Sequence, residues 1–502
     1  MQTTTAANVQ ETKKGRVPRS VMTLFILLLM VCTAAAKELQ LKPTPPVPPV
    51  QKTAVQLQIG GVASDKIICF EMKLNSVVAT ATNGKTTSLV SSPITVEIMH
   101  WAGDSETVEI DQLPHGTYSQ VSIAATATRT TSLDPVSGLL VIKPLSKSFT
   151  SVIHFNPTLT VGTTPVALSL QISPDSVVNS SAIGGSATQN SAAMLRVTAS
   201  RIGVPLPQTK KVKVQRTVGS VTAVSASSFT VMDGQTGASL TFAVNSATQF
   251  RNATLSTLCG LIVAVRGKSA TNGLLEAVKV EALENRNGVV MEGIFSGYIP
   301  NSDVITLASQ DGAGVGMKSA IVGSGVSVDL SENPKYVVDT DDMDMTGMAS
   351  LEFDSSSLVL GQHVQVQSLR GTRGDTHGNS ALMSPETVTL EPQTLTGTVA
   401  NYQAGETPGT ATFDLVFATN AQYNVINPFF YTMHVYQQAG TSMQTAISNG
   451  AAVHIWGLVF FSQLPENGGG ASIKEAGHRA ARLFGRSQNQ PTFLMVAGRI
   501  TN

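Results

Sequence analysis

The sequence predicts an all-β protein, with an antiparallel β-sandwich followed by three small OB-like β-barrels and one short C-terminal helix. Three observations predict this fold class. Apolar residues recur two positions apart along most of the chain, as they do in strands with one buried face. The 42 glycines and 23 prolines favour short strands and turns over long helices. Glycine-flanked strand motifs also recur three times after residue 217.

Composition and charge exclude several classes of protein. The 502 residues are 42% apolar and only 13% charged, which is too apolar for a disordered chain and too poor in charge for a coiled coil. Residues 1–36 carry four basic groups and one acidic group, so the zero formal charge of the whole chain becomes −3 for the remainder. We therefore expect no nucleic-acid partner and no electrostatic attachment to an anionic membrane.

Residues 1–36 have the three parts of a secretory signal peptide. A polar, basic start precedes the apolar run Val21–Val31, and Ala34 and Ala36 form an A-x-A cleavage site. The apolar run is shorter than the roughly 20 residues of a spanning helix. We therefore expect export to the periplasm, cell surface or medium, with a mature chain that begins at Lys37. The alternatives are an uncleaved anchor or lipidation at Cys32, and only these would attach the protein to a membrane.

The next segment, residues 37–54, is predicted to be an extended spacer. It contains five prolines between positions 43 and 49, which prevent both helix and sheet hydrogen bonding. Only Cys69 and Cys259 remain in the mature chain, so no disulfide framework is expected, and both are interpreted as buried thiols.

Residues 55–172 are predicted to form the sandwich. Runs such as Val55–Ile59 and Val166–Ile172 alternate apolar and polar residues, and Asn83-Gly84 is a strong hairpin turn motif. Residues 173–216 are predicted to be a linker, because their first half is rich in Ser, Ala, Gly and Asn.

Three repeats follow, at 217–283, 288–391 and 394–502. Each begins with a strand that contains a glycine, at Gly219, Gly293 and Gly397. Each later carries a second motif, G-x-x-V-x-[VI]-x-G, which starts at Gly260, Gly361 and Gly450 and has Ser368 at its last position in the second repeat. A closing strand completes each unit. Short strands with glycine at their corners suit small, strongly coiled barrels of the OB type.

Two resemblances agree with this organisation. Residues 55–172, with Leu113-Pro-His-Gly-Thr-Tyr118, resemble an uncharacterised envelope domain with an Ig-like or prealbumin-like sandwich. The repeats resemble a second uncharacterised small β-barrel family of exported bacterial proteins. These resemblances imply export and an all-β architecture, and neither implies a catalytic residue or a cofactor.

No motif predicts catalysis. Gly84-Lys85-Thr86 and Gly267-Lys268-Ser269 match only the end of a phosphate-binding loop and lack its first glycine. No G-x-S-x-G occurs, and the eight histidines form no H-x-H or H-x-x-x-H pair, so zinc is not expected. His363 and His454 are interpreted as surface or half-buried strand residues.

One acidic segment is a candidate metal site. Asp339, Asp341, Asp342 and Asp344 place four carboxylates within six residues, as calcium could require. The segment lacks the glycine and the final glutamate of an EF-hand loop, so the hypothesis is weak calcium binding, and a solvated acidic turn is the alternative.

Near the C-terminus, residues 472–484 are predicted to form a helix. Ser472 and Glu475 make a capping box, and Ile473, Ala476, Ala480 and Phe484 share one face.

These features together predict an exported, non-catalytic envelope or extracellular protein that acts as a scaffold or binding module, with a glycan or an envelope protein as its partner. The first alternative is a secreted enzyme that acts on polysaccharide, with paired carboxylates from distant parts of the chain. The second is a weakly calcium-dependent adhesion module.

Overall fold

The computed structural model describes most of the chain after the proline-rich spacer. The described residues are 50–103, 105–179, 194–202, 214–282, 288–299, 302–314, 322–340, 343–346, 348, 351–368, 372–374, 381–418, 421–422, 431–443, 446–462 and 492–501. The signal-peptide region, Asp341, Asp342 and the predicted helix 472–484 lie outside them. No described helix is long and apolar enough to cross a membrane.

The first domain is a sandwich of two sheets. Its strands are β1 (Lys52–Gly61), β2 (Ile67–Ala81), β3 (Thr86–Ser88), β4 (Ile94–Glu97), β5 (Glu106–Pro114), β6 (Gly116–Leu133), β7 (Leu140–Val161), β8 (Val166–Ile172) and β9 (Leu195–Arg201). One sheet has the order β5-β1-β8-β9, and the other has the order β3-β2-β6-β7 with β4 also paired to β2. Alternating apolar residues of both sheets form one core. The predicted turn at Asn83-Gly84 joins β2 to β3.

Two details of this domain differ from the sequence prediction. Strands β1 and β8 pair in parallel, so that sheet is mixed rather than purely antiparallel. Part of the predicted linker also belongs to the fold, as a short helix α1 (Pro174–Asn179) and as β9, which pairs with β8 along its whole length. Leu195, Val197 and Ala199 alternate as in any strand, but the Ser- and Ala-rich residues before them obscured the pattern.

The first repeat is a closed barrel. Its strands are β10 (Val214–Val224), β11 (Ser228–Asp233), β12 (Ser239–Ala243), β13 (Gln249–Arg251), β14 (Ile262–Ser269) and β15 (Leu275–Ala282). The strand order β12-β11-β10-β14-β15 is closed by a parallel pairing between β12 and β15, which is the arrangement of an OB barrel. Cys259 is exposed in the loop before β14, so its prediction as a buried thiol was wrong, whereas Cys69 on β2 is buried.

The strands of the second repeat pair in the same way as those of the first, within an eight-stranded sheet. Its strands are β16 (Val289–Tyr298), β17 (Val304–Gly314), β18 (Gly325–Asp329), β19 (Lys335–Val338), β20 (His363–Ser368), β21 (Thr372–Gly374), β22 (Ala381–Met383) and β23 (Thr387–Leu390). The closing strand is split in two here: β22 pairs in parallel with β18, and β23 pairs with β20. Pro385 lies at the break, and a proline cannot donate the ladder hydrogen bond.

The third repeat is again a closed barrel. Its strands are β24 (Gln393–Ala404), β25 (Ala411–Val416), β26 (Thr432–Met443), β27 (Ala452–Ser462) and β28 (Thr492–Thr501). The order is β24-β25-β26-β28-β27, with β26 and β28 parallel. The all-β fold class is therefore confirmed, with two closed five-stranded barrels.

The repeated glycines have a common steric cause. A Cβ at Gly219, Gly293 or Gly397 would lie 2.2, 2.3 or 2.7 Å from a carbonyl oxygen of the second strand of its barrel. The first glycines of the second motif, Gly260, Gly361 and Gly450, have φ values of 76°, 94° and 85°, in the left-handed region that favours glycine. The repeat in the sequence thus marks the points where each barrel bends.

The second barrel contacts the other three domains, and residues 51–502 form one compact unit. Ile294 and Ala308 pack on Ile68 and Cys69 of the sandwich. Val290 and Ala313 pack on Val218 and Ile262 of the first barrel. Leu458, Phe460, Leu494 and Val496 of the third barrel belong to the core cluster of the second.

We predict that Gly293→Ala lowers the free energy of unfolding by about 1–3 kcal/mol, because the added methyl group meets the backbone oxygen of Ala308. The matched control is Gly297→Ala on the same strand, where the nearest atom would lie 3.8 Å away, so a change within about 0.5 kcal/mol is expected. Denaturant unfolding measures both. Equal effects of the two substitutions would contradict the steric explanation.

Candidate functional site

A buried, charged cavity of about 100 Å³ lies where the four domains meet. We call it the central cavity. Its lining comes from the loop after β4, from β5, from both barrels that follow, and from β27 of the third barrel. The lining residues are His100, Trp101, Ala102, Glu106, Arg216, Arg266, Glu292, Asp311, Asp339, His363, Glu391, Pro392 and Trp456. Both tryptophans of the chain are among them.

Arg216 forms the centre of the ion-pair network. Its Nη1 atom lies 3.0 Å from Oε1 of Glu292 and 2.7 Å from Oε2 of Glu391, and its Nη2 donates to Oε1 of Gln365 at 2.8 Å. Its backbone amide donates to Glu106 of the sandwich. Burial alone would lower the pKa of Arg216, but the charges of Glu292 and Glu391 outweigh burial and raise it. One side chain therefore joins residues of two barrels, and its backbone reaches the sandwich.

The sheet register explains why these charges gather. Arg216 and Arg266 are direct cross-strand partners on β10 and β14. Glu292 and Asp311 are likewise partners on β16 and β17. Like charges placed directly opposite each other destabilise a sheet. The two barrels pack so that each arginine meets a carboxylate of the second barrel, Arg216 with Glu292 and Arg266 with Asp339, which offsets the repulsion between the arginines.

Two carboxyl groups at the cavity hold protons more tightly than usual. Burial raises the pKa of Asp311 to about 7, against the opposing charge of His100. Burial also raises the pKa of Glu391 to about 7, although Arg216 favours its charged form. Glu292 behaves differently: burial would raise its pKa, but Arg216 and the other positive charges around it together lower the pKa. The cavity thus contains carboxyl groups that can exchange protons near neutral pH.

His100 is held by Glu97, a fully buried residue at the end of β4. Oε1 of Glu97 accepts hydrogen bonds from the amides of Phe70 and Met99, and Oε2 lies 2.9 Å from Nδ1 of His100. Burial disfavours the charged imidazole, but the hydrogen bond and the charge of Glu97 raise the pKa of His100 to about 9.

His363, at the start of β20, has an unpartnered ring nitrogen. Its Nδ1 atom lies 3.0 Å from the carbonyl oxygen of Pro392. Its Nε2 atom is buried without a hydrogen-bond partner in the described structure, and lies 4.0 Å from Oε2 of Glu292. Burial lowers the pKa of His363, so the ring is neutral. The expectation of a surface or half-buried strand histidine was therefore wrong for His363, which is buried.

A second groove, of about 160 Å³, runs between the first and second barrels and shares four lining residues with the central cavity. We call it the barrel groove. Five basic residues line it, namely Arg216, Arg251, Arg266, Lys279 and Lys335. Its three acidic residues are all ion-paired with arginine: Glu281 with Arg251, Asp339 with Arg266 and Glu391 with Arg216.

The predicted calcium ligands are only partly described. Asp339 lines the barrel groove and forms an ion pair with Arg266. Asp344 accepts hydrogen bonds from Thr346 and from the amide of Gly440 in the third barrel. Asp341 and Asp342 lie outside the described residues. Within the described part of the chain, no group of three or more His, Cys, Asp or Glu residues is placed to hold a metal ion.

Apart from His363 and Asp339, the cavity residues could not be recognised from the sequence, because they come from separate domains. A hint was present, since Glu97 and Glu292 interrupt the apolar runs Ile94–Met99 and Val289–Phe295 in a chain with only 13% charged residues. A carboxylate in such a run must be paired when the strand is buried on both faces.

One comparison with known families bears on the barrels. A family described as "Domain of unknown function (DUF5666)" matches residues 218–281, which span nearly all of the first barrel. This agrees with the expectation of an uncharacterised domain family for that repeat. A comparison with the curated proteins finds no match for this chain.

We predict that His100→Gln removes part of the pH dependence of stability. The pKa of His100 rises from 6.5 to about 9 on folding, so its contribution is complete below about pH 6.5 and is lost as the pH rises through 9. Between pH 6.5 and 9, the free energy of unfolding should therefore fall by about 2–3 kcal/mol more in the wild type than in the variant.

Denaturant unfolding at several pH values measures this difference. The control is His154→Gln, which replaces an exposed histidine on β7 and should leave the wild-type pH dependence unchanged. Identical pH dependence in His100→Gln and the wild type would contradict the prediction.

Proposed function

We propose that this protein is an exported, non-catalytic binding protein of the cell envelope or extracellular space, and that the barrel groove binds an acidic polysaccharide. The observation that carries the proposal is a ladder of half-buried polar side chains along one wall of the groove. Gln365 and Gln367 on β20 are direct partners of Thr389 and Thr387 on β23. All four side chains line the groove.

Much of this ladder is available to a ligand. Gln367, Thr387 and Thr389 have no side-chain hydrogen bonds within the described structure, although each is half-buried. Amide and hydroxyl groups in this state suit the hydroxyl groups of a sugar, which both donate and accept hydrogen bonds. The excess of basic side chains on the groove favours a polymer that carries carboxylate or other anionic groups.

A binding role fits the carboxyl groups better than a catalytic one. Oε1 of Glu292 and Oε2 of Glu391 both lie within 3.0 Å of one arginine nitrogen, so these oxygens are less than about 6 Å apart, near the spacing of retaining glycosidases. Both groups, however, pair with the same guanidinium.

The proposal of export rests on the signal-peptide pattern of residues 1–36. The signal peptide would deliver the four domains to the periplasm, cell surface or medium, and residues 37–54 would separate them from an anchor if one is retained. Calcium has no part in the proposed binding, because Asp339 is paired with Arg266 and Asp344 with Thr346 and Gly440.

The test is affinity electrophoresis of residues 37–502 through gels that contain polygalacturonate or neutral dextran, with the gel eluate assayed for new reducing ends. We expect retardation by polygalacturonate only, weaker at high salt, with no new reducing ends. The double variant Gln367→Ala/Thr389→Ala should lose most of the retardation. A control is Thr222→Ala/Thr241→Ala, which changes two exposed threonines of the first barrel away from the groove.

Two results would overturn the proposal. Equal retardation of the groove variant and the wild type would show that the polymer binds elsewhere. Release of reducing ends that disappears in Glu391→Gln would instead support a polysaccharide-acting enzyme.

A further inference from the structure

We propose that the central cavity binds a small protonated amine, whose ammonium group donates hydrogen bonds to Nε2 of His363 and to Oε2 of Glu292. This site is distinct from the polymer-binding wall of the barrel groove and does not depend on it.

The hydrogen-bonding role of His363 follows from its partner. A carbonyl oxygen can only accept, so the short contact with Pro392 requires that Nδ1 carries the hydrogen. In the neutral ring, Nε2 is then a lone-pair acceptor. It is a buried nitrogen on the cavity wall with no partner in the described structure, and the side chain is only 7% exposed. A buried acceptor in this state needs a donor.

Glu292 presents a second acceptor to the same space. Its Oε1 faces Arg216, whereas its Oε2 lies 4.0 Å from Nε2 of His363, beyond hydrogen-bond distance. A single nitrogen or oxygen atom between them could lie within about 3 Å of both. Since neither group can donate when Glu292 is ionised, the bridging atom must supply both hydrogens.

The charge of the lining favours the nitrogen of an ammonium group over the oxygen of a water molecule as the bridging atom. Five carboxyl groups line the cavity, against two arginines and the protonated His100. Burial raises the pKa of Asp311 and of Glu391 to about 7, and a cation bound beside them would favour their charged forms. A bound cation would also offset the excess of carboxyl groups.

Geometry also favours an amine over a metal ion. No three metal-ligating side chains are arranged for one ion in the described structure. An ammonium group needs only two acceptors here, because Nε2 of His363 and Oε2 of Glu292 can each accept one of its N–H groups. A water molecule needs about 10–15 Å³ of comparable space, so a cavity of about 100 Å³ accommodates an amine of a few heavy atoms. The amine would enter through the barrel groove, which shares Arg216, Arg266, Asp339 and Glu391 with the cavity.

The experiment is isothermal titration calorimetry of residues 37–502 with methylammonium chloride at constant ionic strength. Potassium chloride tests for a simple cation effect, and tetramethylammonium chloride tests for charge without N–H donors. We expect saturable binding of methylammonium alone. His363→Leu should weaken it at least tenfold. The matched control is His454→Leu, which removes the histidine from the corresponding strand of the third barrel and should bind as the wild type does.

A second measurement covers the case in which His363→Leu fails to fold. In the wild type, the ¹⁵N resonance of His363 Nε2 should move on addition of methylammonium in the direction of a nitrogen that accepts a hydrogen bond, while the Nδ1 resonance stays in place. Binding of potassium or tetramethylammonium as strong as that of methylammonium would overturn the proposal. So would the absence of methylammonium binding, or an unchanged Nε2 resonance at saturation.

Discussion

The arrangement of the four domains depends on the contact between Arg216 and the carboxyl groups of the second barrel. Each barrel alone would carry a pair of like charges on adjacent strands, Arg216 with Arg266 in one case and Glu292 with Asp311 in the other. In the packed arrangement, Arg216 lies 3.0 Å from Glu292, and Arg266 pairs with Asp339 of the second barrel. Loss of one partner from a buried ion pair leaves an uncompensated charge and typically costs about 3–5 kcal/mol. The assembled arrangement therefore depends on the presence of both partners of the contact.

The same repeat position serves different roles in the three barrels. The residue before the last position of the second motif is Arg266, Gln367 or Trp456, and its side chain points out of the barrel in each case. Arg266 and Trp456 reach the central cavity, whereas Gln367 belongs to the barrel groove. The glycines of the repeat fix the bend of each barrel, and the outward-facing positions between them carry the residues that differ. The central cavity and the barrel groove thus lie between domains and not inside a barrel.

The sequence predicted the parts of the fold that depend on local geometry. Glycine at a bend and alternation along a strand act within a few residues, so the barrels and the Asn83-Gly84 hairpin could be recognised from spacing alone. The central cavity could not, because Glu97, Arg216, Glu292 and Glu391 are distant in sequence and meet only when the domains pack. The strand β9 was missed for a related reason, since its burial comes from β8 and not from its own composition. The one local trace of the cavity was a glutamate within an apolar strand.

Native-state hydrogen exchange of the wild type and of Arg216→Met tests the central claim most directly. If the ion pairs at Arg216 hold the domains together, the slowest amides of the sandwich and of all three barrels should share one opening free energy in the wild type. In the variant, the free energies of the first and second barrels should fall and separate from each other. Four independent opening free energies in the wild type, or an unchanged pattern in Arg216→Met, would contradict the account.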